Sequence, residues 1–379
     1  MHTEADSGAN LIDRDSTDRD STDRPSDLVG KVVRGKVVKG KIVKETVVDK
    51  LHRPLRDLRV SVTDRCNFRC VYCMPKSVFN KDYKFLPRAE LLRYEEIIKI
   101  VNVAASFGVS KIRLTGGEPL VRNDLEKLIE WITQVDGITD ISLTTNATLL
   151  TSKRARSLRD AGLQRLNVSL DAIDDETFKR VNDVGIGVQS VLDGIENASL
   201  AGFDSIKVNM VVKKGLNDHS IVPMAQFFHG TGQILRFIEF MDVGSTNAWD
   251  LSHVVTSREI ADLINNALPI KPIEANYRGE VAKRWQFVDG GGEIGIITSV
   301  SEPFCGDCSR ARLSATGSIY TCLFASSGVD LRPVLRNQDS GALSRELKRI
   351  WSTREDRYSE TRTQVSVIRP KVEMSFIGG

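Results

Sequence analysis

The stretch LRVSVTDRCNFRCVYCMP, residues 58–75, holds a strand, the loop that ends it and half of the chain's thiols. Its β-branched alternation over 58–63 reads as a strand, and the loop after it spaces Cys66, Cys70 and Cys73 as C-x3-C-x2-C. The remaining cysteines, Cys305, Cys308 and Cys322, form a second group, C-x2-C-x13-C, with none in between. Three thiolates are one short of the four that complete a cubane iron–sulfur cluster or a tetrahedral zinc site. A core held by three leaves one metal position open, so two trios predict two small molecules. A zinc reading of the first trio would need a histidine as fourth ligand. His2, His52, His219, His229 and His253 all lie outside 53–218.

Working outward, strand-like runs recur at 111–115, 140–145, 165–170, 205–212 and 235–240, separated by amphipathic helical patterns at 93–107, 123–135, 151–161, 188–201 and 219–229. Such alternation specifies parallel strands with helices outside them. Six strands are fewer than a closed eight-stranded barrel needs. The expectation is an α/β fold: a curved, open partial (β/α)6 barrel with ligands at the C-terminal strand ends.

Three regions follow. Residues 1–45 repeat Asp-Arg-Asp-Ser-Thr and then Gly-Lys-Val-Val, and are predicted to form a low-complexity, disordered extension without assigned function. Residues 46–241 form the barrel. Residues 242–379 are more irregular, carry the second trio and a helix at 341–353, and are expected to close over the barrel mouth.

A hydrophobic fraction of 41% with 27% charged residues predicts a globular protein with a sizeable core. The net charge of +3 implies neither nucleic acid nor an anionic membrane as partner. No apolar run reaches the length of a membrane span, and the start MHTEADSGAN lacks a signal-peptide pattern. A cytoplasmic setting is expected, where structural disulfides are not.

Two further motifs carry chemistry. The strand at 111–115 runs into Gly116-Gly117-Glu118-Pro119, where glycines allow close backbone approach; alone, it reads as an ordinary strand-to-helix turn. Arg310 and Arg312, two apart on an apparent hairpin between Cys308 and Cys322, put both guanidiniums on one face. That suits a polyphosphate, although two such arginines are more often a solvated pair.

The cysteine loop, with Tyr72 just before its third thiol, resembles that of the radical S-adenosylmethionine superfamily, and GGEP stands where that superfamily carries it. In combination with C-x2-C-S-R-A-R, EFMDVG at 239–244 and a terminal Gly378-Gly379, the resemblance narrows to the GTP 3′,8-cyclase family of molybdenum cofactor biosynthesis, from about Leu51 to Gly379.

The resemblance implies two [4Fe-4S] clusters, one on Cys66, Cys70 and Cys73, the other on Cys305, Cys308 and Cys322. It implies S-adenosylmethionine at Tyr72, Gly117, Ser169 and Met241. GTP is implied at Arg59, Arg113, Thr144, Lys207, Arg310 and Arg312, with the guanine at the open iron of the second cluster and the triphosphate on the basic residues. The first trio, Arg310 and Arg312 are the implied catalytic groups. A 5′-deoxyadenosyl radical would take hydrogen from ribose C3′, and the resulting carbon radical would add to C8. A low-potential electron donor, a homodimer and product transfer to cyclic pyranopterin monophosphate synthase belong to the same expectation. The Gly-Gly tail is expected to insert toward the active site. Ala147 departs from the family's glycine after TTN, which strains the chain if that position needs φ > 0.

Singly, each polar residue has a plainer reading: strand-end charge for Arg59, Arg113 and Lys207, turn residue for Ser169 and Thr144, core filler for Met241. Two rival functions fit part of the pattern. One is a peptide-modifying radical S-adenosylmethionine enzyme with an auxiliary cluster, which needs no Arg-x-Arg clamp. The other is a non-enzymatic metal or redox-sensing protein.

Overall fold

The computed structural model describes residues 46–337, 339, 341–362 and 369–378, which fall in one unit, Lys44–Gly379. The expected extension up to residue 45 lies outside the described residues, as does Gly379.

Six strands, β1 (Asp57–Ser61), β2 (Lys111–Thr115), β3 (Asp140–Thr145), β4 (Arg165–Ser169), β5 (Ile206–Val212) and β6 (Ile234–Glu239), lie side by side in chain order. All five pairings between them are parallel. Helices α1 (Tyr94–Ser106), α2 (Leu125–Thr133), α3 (Ser152–Asp160), α4 (Asp175–Asn182), α5 (Gln189–Leu200) and α6 (Ile221–Phe228) occupy the crossovers. Each predicted strand is present within a residue or two. The exception to the helix pattern is α4, whose DETFKRVN offers only Phe178 and Val181 as apolar anchors. It is fixed by Asp174, which accepts a hydrogen bond from the Thr177 amide at 2.8 Å.

Alternation along the strands sorts side chains between two faces. Leu58, Val60, Ile112, Leu114, Val208 and Val212 are shut off from solvent in the main hydrophobic core, to which the helices contribute. Their alternates, among them Arg59, Arg113 and Lys207, stay half-buried and line an interior chamber.

Residues after 241 extend this sheet at both edges. Helix α7 (Ser257–Ala267) precedes β7 (Ile270–Ile273), β8 (Ala282–Phe287) and β9 (Glu293–Ile297), and β9 runs parallel beside β6. On the other edge β10 (Arg310–Leu313) runs parallel beside β1, followed by antiparallel β11 (Ser318–Tyr320) and β12 (Val329–Asp330). The result is one open sheet of twelve strands, ordered 12-11-10-1-2-3-4-5-6-9-8-7.

Ala147 has φ 59°, the left-handed region. Its carbonyl and Cβ press on α5 at Gly194, where an added Cβ would lie 2.3 Å from the Ala147 oxygen. Ala147→Gly should therefore raise the stability of the metal-free chain by about 0.5–1 kcal/mol in a denaturant titration, the relief of left-handed strain exceeding glycine's extra unfolded-state entropy.

Candidate active site

A cavity of about 550 Å³ runs along the inner face of the sheet. Among its lining residues are Arg59, Tyr72, Arg113, Thr144, Ser169, Lys207, Met241, Arg310 and Arg312, together with Cys305, Cys308 and Cys322. Cys66, Cys70, Cys73 and Gly117 do not line it. Tyr72 connects the first trio to the chamber: it sits on the wall and packs with Phe240, Val181, Cys70, Cys73 and Met374. The Tyr72 hydroxyl donates to Asp171 Oδ2 at 2.7 Å, and the Val211 amide donates to Oδ1 at 2.9 Å, which pins the cysteine loop to β5. Burial pushes the Asp171 carboxyl up to about 6.

The two trios lie at opposite ends of the strands. The first leaves β1 at its C-terminal end. Because β10 is parallel to β1, with Arg310 opposite Asp57, the turn carrying Cys305 and Cys308 lies at the N-terminal ends of the strands. There the Arg56 and Asp57 amides donate to Ser309 O at 3.0 and 3.1 Å. This corrects the expectation that the whole C-terminal region closes over the mouth: the second trio closes the base. The last described residues do reach the mouth. Glu373 accepts from Ser245 N and Thr246 Oγ1, both at 2.9 Å, Lys371 Nζ pairs with Asp242 Oδ2 at 2.7 Å, and Gly378 O accepts from Arg312 Nη1. A Cβ on Gly378 (φ 77°) would lie 2.2 Å from Thr115 Cγ2, so glycine fits there and a side chain does not.

GGEP works through its backbone and through the Glu118 carboxylate. Gly117 N donates to Thr63 O and Glu118 N to Arg65 O, both at 2.8 Å, so the loop lies directly on the segment that enters the first trio. A Cβ on Gly117 would meet Arg65 O at 2.3 Å. The Glu118 carboxylate accepts from Thr145 Oγ1 at 2.6 Å, Asn146 N at 2.7 Å and Leu120 N at 3.0 Å, which ties the ends of β2 and β3 together. Burial holds that carboxyl up at about 7. Gly117→Ala should displace the cysteine loop and cut iron loading at the first trio while leaving the second trio filled. Iron analysis after reconstitution measures this.

The electrostatics of the wall favour a polyanion. Arg312, Arg59 and Arg113 stand in register on three adjacent strands. Burial, then the charges of Arg312 and Arg113, pulls Arg59 well below its ordinary value. Burial followed by Arg310 brings Arg312 to about 10, and burial followed by Arg236 brings Lys207 to about 8. Arg59 Nε, Arg113 Nε and Thr144 Oγ1 are shut off from solvent without a hydrogen-bond partner. Like charges crowded beside unpartnered donors are costly until an anion neutralises them.

The thiols fit metal cores. Burial pushes the Cys66 thiol up to about 12 and also raises Cys70 and Cys73, with Glu118 and Asp171 adding to it. Burial likewise puts Cys322 at about 12. Such groups become thiolates only against strong positive charge, which an iron–sulfur core supplies. Cys308 differs: burial is outweighed by Arg310 and Arg354, which bring it down to about 7. Among the described residues no group of three or more His, Cys, Asp or Glu side chains is already placed to hold a metal ion.

Sequence reading missed Arg236. It lines the chamber and donates to Asn209 Oδ1 at 2.9 Å and Asn167 Oδ1 at 2.6 Å. The signal was available: within LRFIEF, Arg236 interrupts the apolar alternation on the same face as its in-register partner Asn209, two residues after Lys207.

Residues 60–228 match the model of the Radical SAM superfamily and residues 233–360 that of Molybdenum Cofactor Synthesis C. The GTP 3′,8-cyclase of Staphylococcus saprophyticus is 50% identical over 341 residues, covering 88% of this chain and 99% of that protein. The enzyme of the same name from Staphylococcus epidermidis is 49% identical over 338 residues, with the same coverage. The chain belongs to the GTP 3′,8-cyclase family. Membership brings with it the radical S-adenosylmethionine fold, S-adenosylmethionine and [4Fe-4S] clusters as cofactors. Solved structures share the architecture at low identity. Streptococcus suis SuiB bound to the precursor peptide SuiA superposes with a TM-score of 0.56 at 14% identity, over 82% of this chain and 67% of that one. The same protein bound to S-adenosylmethionine gives 0.52 at 11%, over 78% and 65%. At these identities the likeness shows the fold alone. No described helix is long and apolar enough to cross a membrane.

Proposed function

We propose that this chain converts GTP to 3′,8-cyclo-7,8-dihydro-GTP, the first step of molybdenum cofactor biosynthesis. The observation that carries the reading is a single chamber lined by the second thiol trio at its base, by Tyr72 of the first cysteine loop, and by unpartnered cationic donors on its wall. In this reading residues 46–241 hold the first cluster and S-adenosylmethionine, and residues 242–379 bring the second cluster.

Bound S-adenosylmethionine, reduced through the first cluster, supplies a radical able to abstract hydrogen. The residues do the positioning. Tyr72, Ser169 and Met241 hold the methionine and adenosine portions at the C-terminal end, while Gly117 presses the cysteine loop into place. Arg59, Arg113, Lys207, Arg310 and Arg312 hold the triphosphate, and Thr144 donates its free hydroxyl. The second trio seats the guanine at the base. Held in one conformer, ribose C3′ loses a hydrogen atom and bonds to C8 of its own base, and one electron and one proton then reduce the nucleobase. Fixing both atoms replaces a search among conformers with a single encounter geometry. A low-potential donor supplies the electrons, cyclic pyranopterin monophosphate synthase consumes the product, and the setting is cytoplasmic.

The test is anaerobic reconstitution followed by incubation with GTP, S-adenosylmethionine and a reductant. The expected product is an isomer of GTP that separates from it by chromatography and forms in step with 5′-deoxyadenosine. Deoxyadenosine release that depends on added peptide and ignores GTP would overturn the reading.

A further inference from the structure

A group of charged residues beneath the second trio takes no part in the function above. Arg354 Nη2 donates to Cys308 Sγ at 3.2 Å, and its Nη1 donates to Cys308 O at 2.7 Å. Arg53 Nη1 donates to Cys305 O and Asp356 O, each at 2.8 Å. Asp49 links the two arginines, with Oδ2 at 2.6 Å from Arg53 Nε and 3.3 Å from Arg354 Nη1. Both guanidiniums are 2% exposed and Asp49 not at all. Asp49 Oδ1 is occupied by the Leu51 and Arg53 amides, both at 2.9 Å. The other carboxylate, Asp356, pairs with Arg354 Nε at 3.2 Å and is 34% exposed, so water screens it. Arg53 Nη2 is buried with no hydrogen-bond partner among the described residues.

The first trio has the opposite surroundings. Its acidic neighbours are Glu118, Asp171 and Glu373. Arg69, the nearby cation, spends its donors on the carbonyls of Cys66, Phe68 and Phe79. The sulfur contact there is an amide, Phe68 N to Cys66 Sγ at 3.4 Å.

We propose that Arg354 and Arg53 form a buried cationic pedestal that sets the reduction potential of the iron–sulfur core on Cys305, Cys308 and Cys322 above that of the core on Cys66, Cys70 and Cys73. The proposal rests on the ligand assignment under Proposed function. Reduction adds negative charge to a core, so hydrogen bonds to its sulfurs and buried positive charge favour it, while neighbouring carboxylates oppose it. Arg354 supplies both favourable effects at Cys308. Arg53 fixes the Cys305 carbonyl and keeps a second charge under the turn. Arg354 also lines the chamber, and its role here is that of a positioning and tuning residue acting through the sulfur of Cys308.

The experiment is a potentiometric titration of the reconstituted full-length chain followed by electron paramagnetic resonance. Cys70→Ser and Cys305→Ser chains assign the two signals; two unchanged signals in the Cys305→Ser chain would refute the ligand assignment itself. In the intact chain the second core should reduce first. Arg354→Gln should lower its reduction equilibrium at least tenfold, about 59 mV for a one-electron couple, and leave the first core unmoved. Arg354→Lys should restore most of that loss. Asp49→Asn, which removes the counter-charge and touches no sulfur, should move the potential upward. A purely structural role does not predict opposite signs for Arg354→Gln and Asp49→Asn. An unmoved potential in Arg354→Gln overturns the proposal. If that chain fails to assemble the second core, Asp49→Asn decides: an unmoved or lowered potential overturns it.

Discussion

A Cys305→Ser chain is expected to lose cyclisation entirely while still cleaving S-adenosylmethionine reductively at a measurable rate. Cys322→Ser should behave alike, because both thiols sit at the base of the chamber, beyond the arginine row. Cys70→Ser should abolish both reactions, since that thiol packs behind Tyr72 at the opposite end. The split follows from the separation of the trios along β1: one loop leaves its C-terminal end, and the other turn docks on its first residues. Deoxyadenosine and the cyclised nucleotide, quantified from the same reaction, measure the two activities. Cleavage that survives in Cys70→Ser would show the first cluster to be assigned to the wrong residues.

Arg59→Met should weaken GTP binding about ten- to hundredfold, the loss of one charge-assisted contact worth about 1.5–3 kcal/mol. The same change should stabilise the metal-free chain. Arg59 stands between Arg312 and Arg113 on adjacent strands, its Nε has no partner, and burial already disfavours its charge. Methionine keeps the stem's packing, removes the repulsion and the orphaned donor, and should gain about 1–2 kcal/mol. The melting temperature without ligand should therefore rise while its increase on adding GTP shrinks. A fall in both would mean that Arg59 serves the fold and has no part in binding an anion.

Much of the site was legible because its parts are local. The cysteine loop, GGEP, and the strand–helix alternation each occupy one short window, and parallel strands laid down in chain order place such windows side by side. The arrangement of the second trio was not legible. Its position depends on β10 pairing with β1 across most of the chain, and no local pattern distinguishes that register from a cap over the mouth. The pedestal was hidden for the same reason: Asp49 and Arg354 are 305 residues apart. Arg236 left a signal that was easy to misread, since a charged residue inside an amphipathic strand reads as solvent-facing until the barrel's interior is known to be polar. That alanine is strained at 147 if the position needs φ > 0 is legible in the sequence; that φ is positive there, and that its carbonyl fills the space a Cβ on Gly194 would take, needed the packing of α5.

The central claim is that a sulfonium and a purine nucleotide share one chamber, close enough for hydrogen to pass directly between them. Incubation with GTP deuterated at C3′ tests it most directly. The label should appear in 5′-deoxyadenosine, and the cyclised nucleotide should be lighter than its labelled substrate by one mass unit. Unlabelled deoxyadenosine beside a nucleotide that keeps its deuterium would contradict the account.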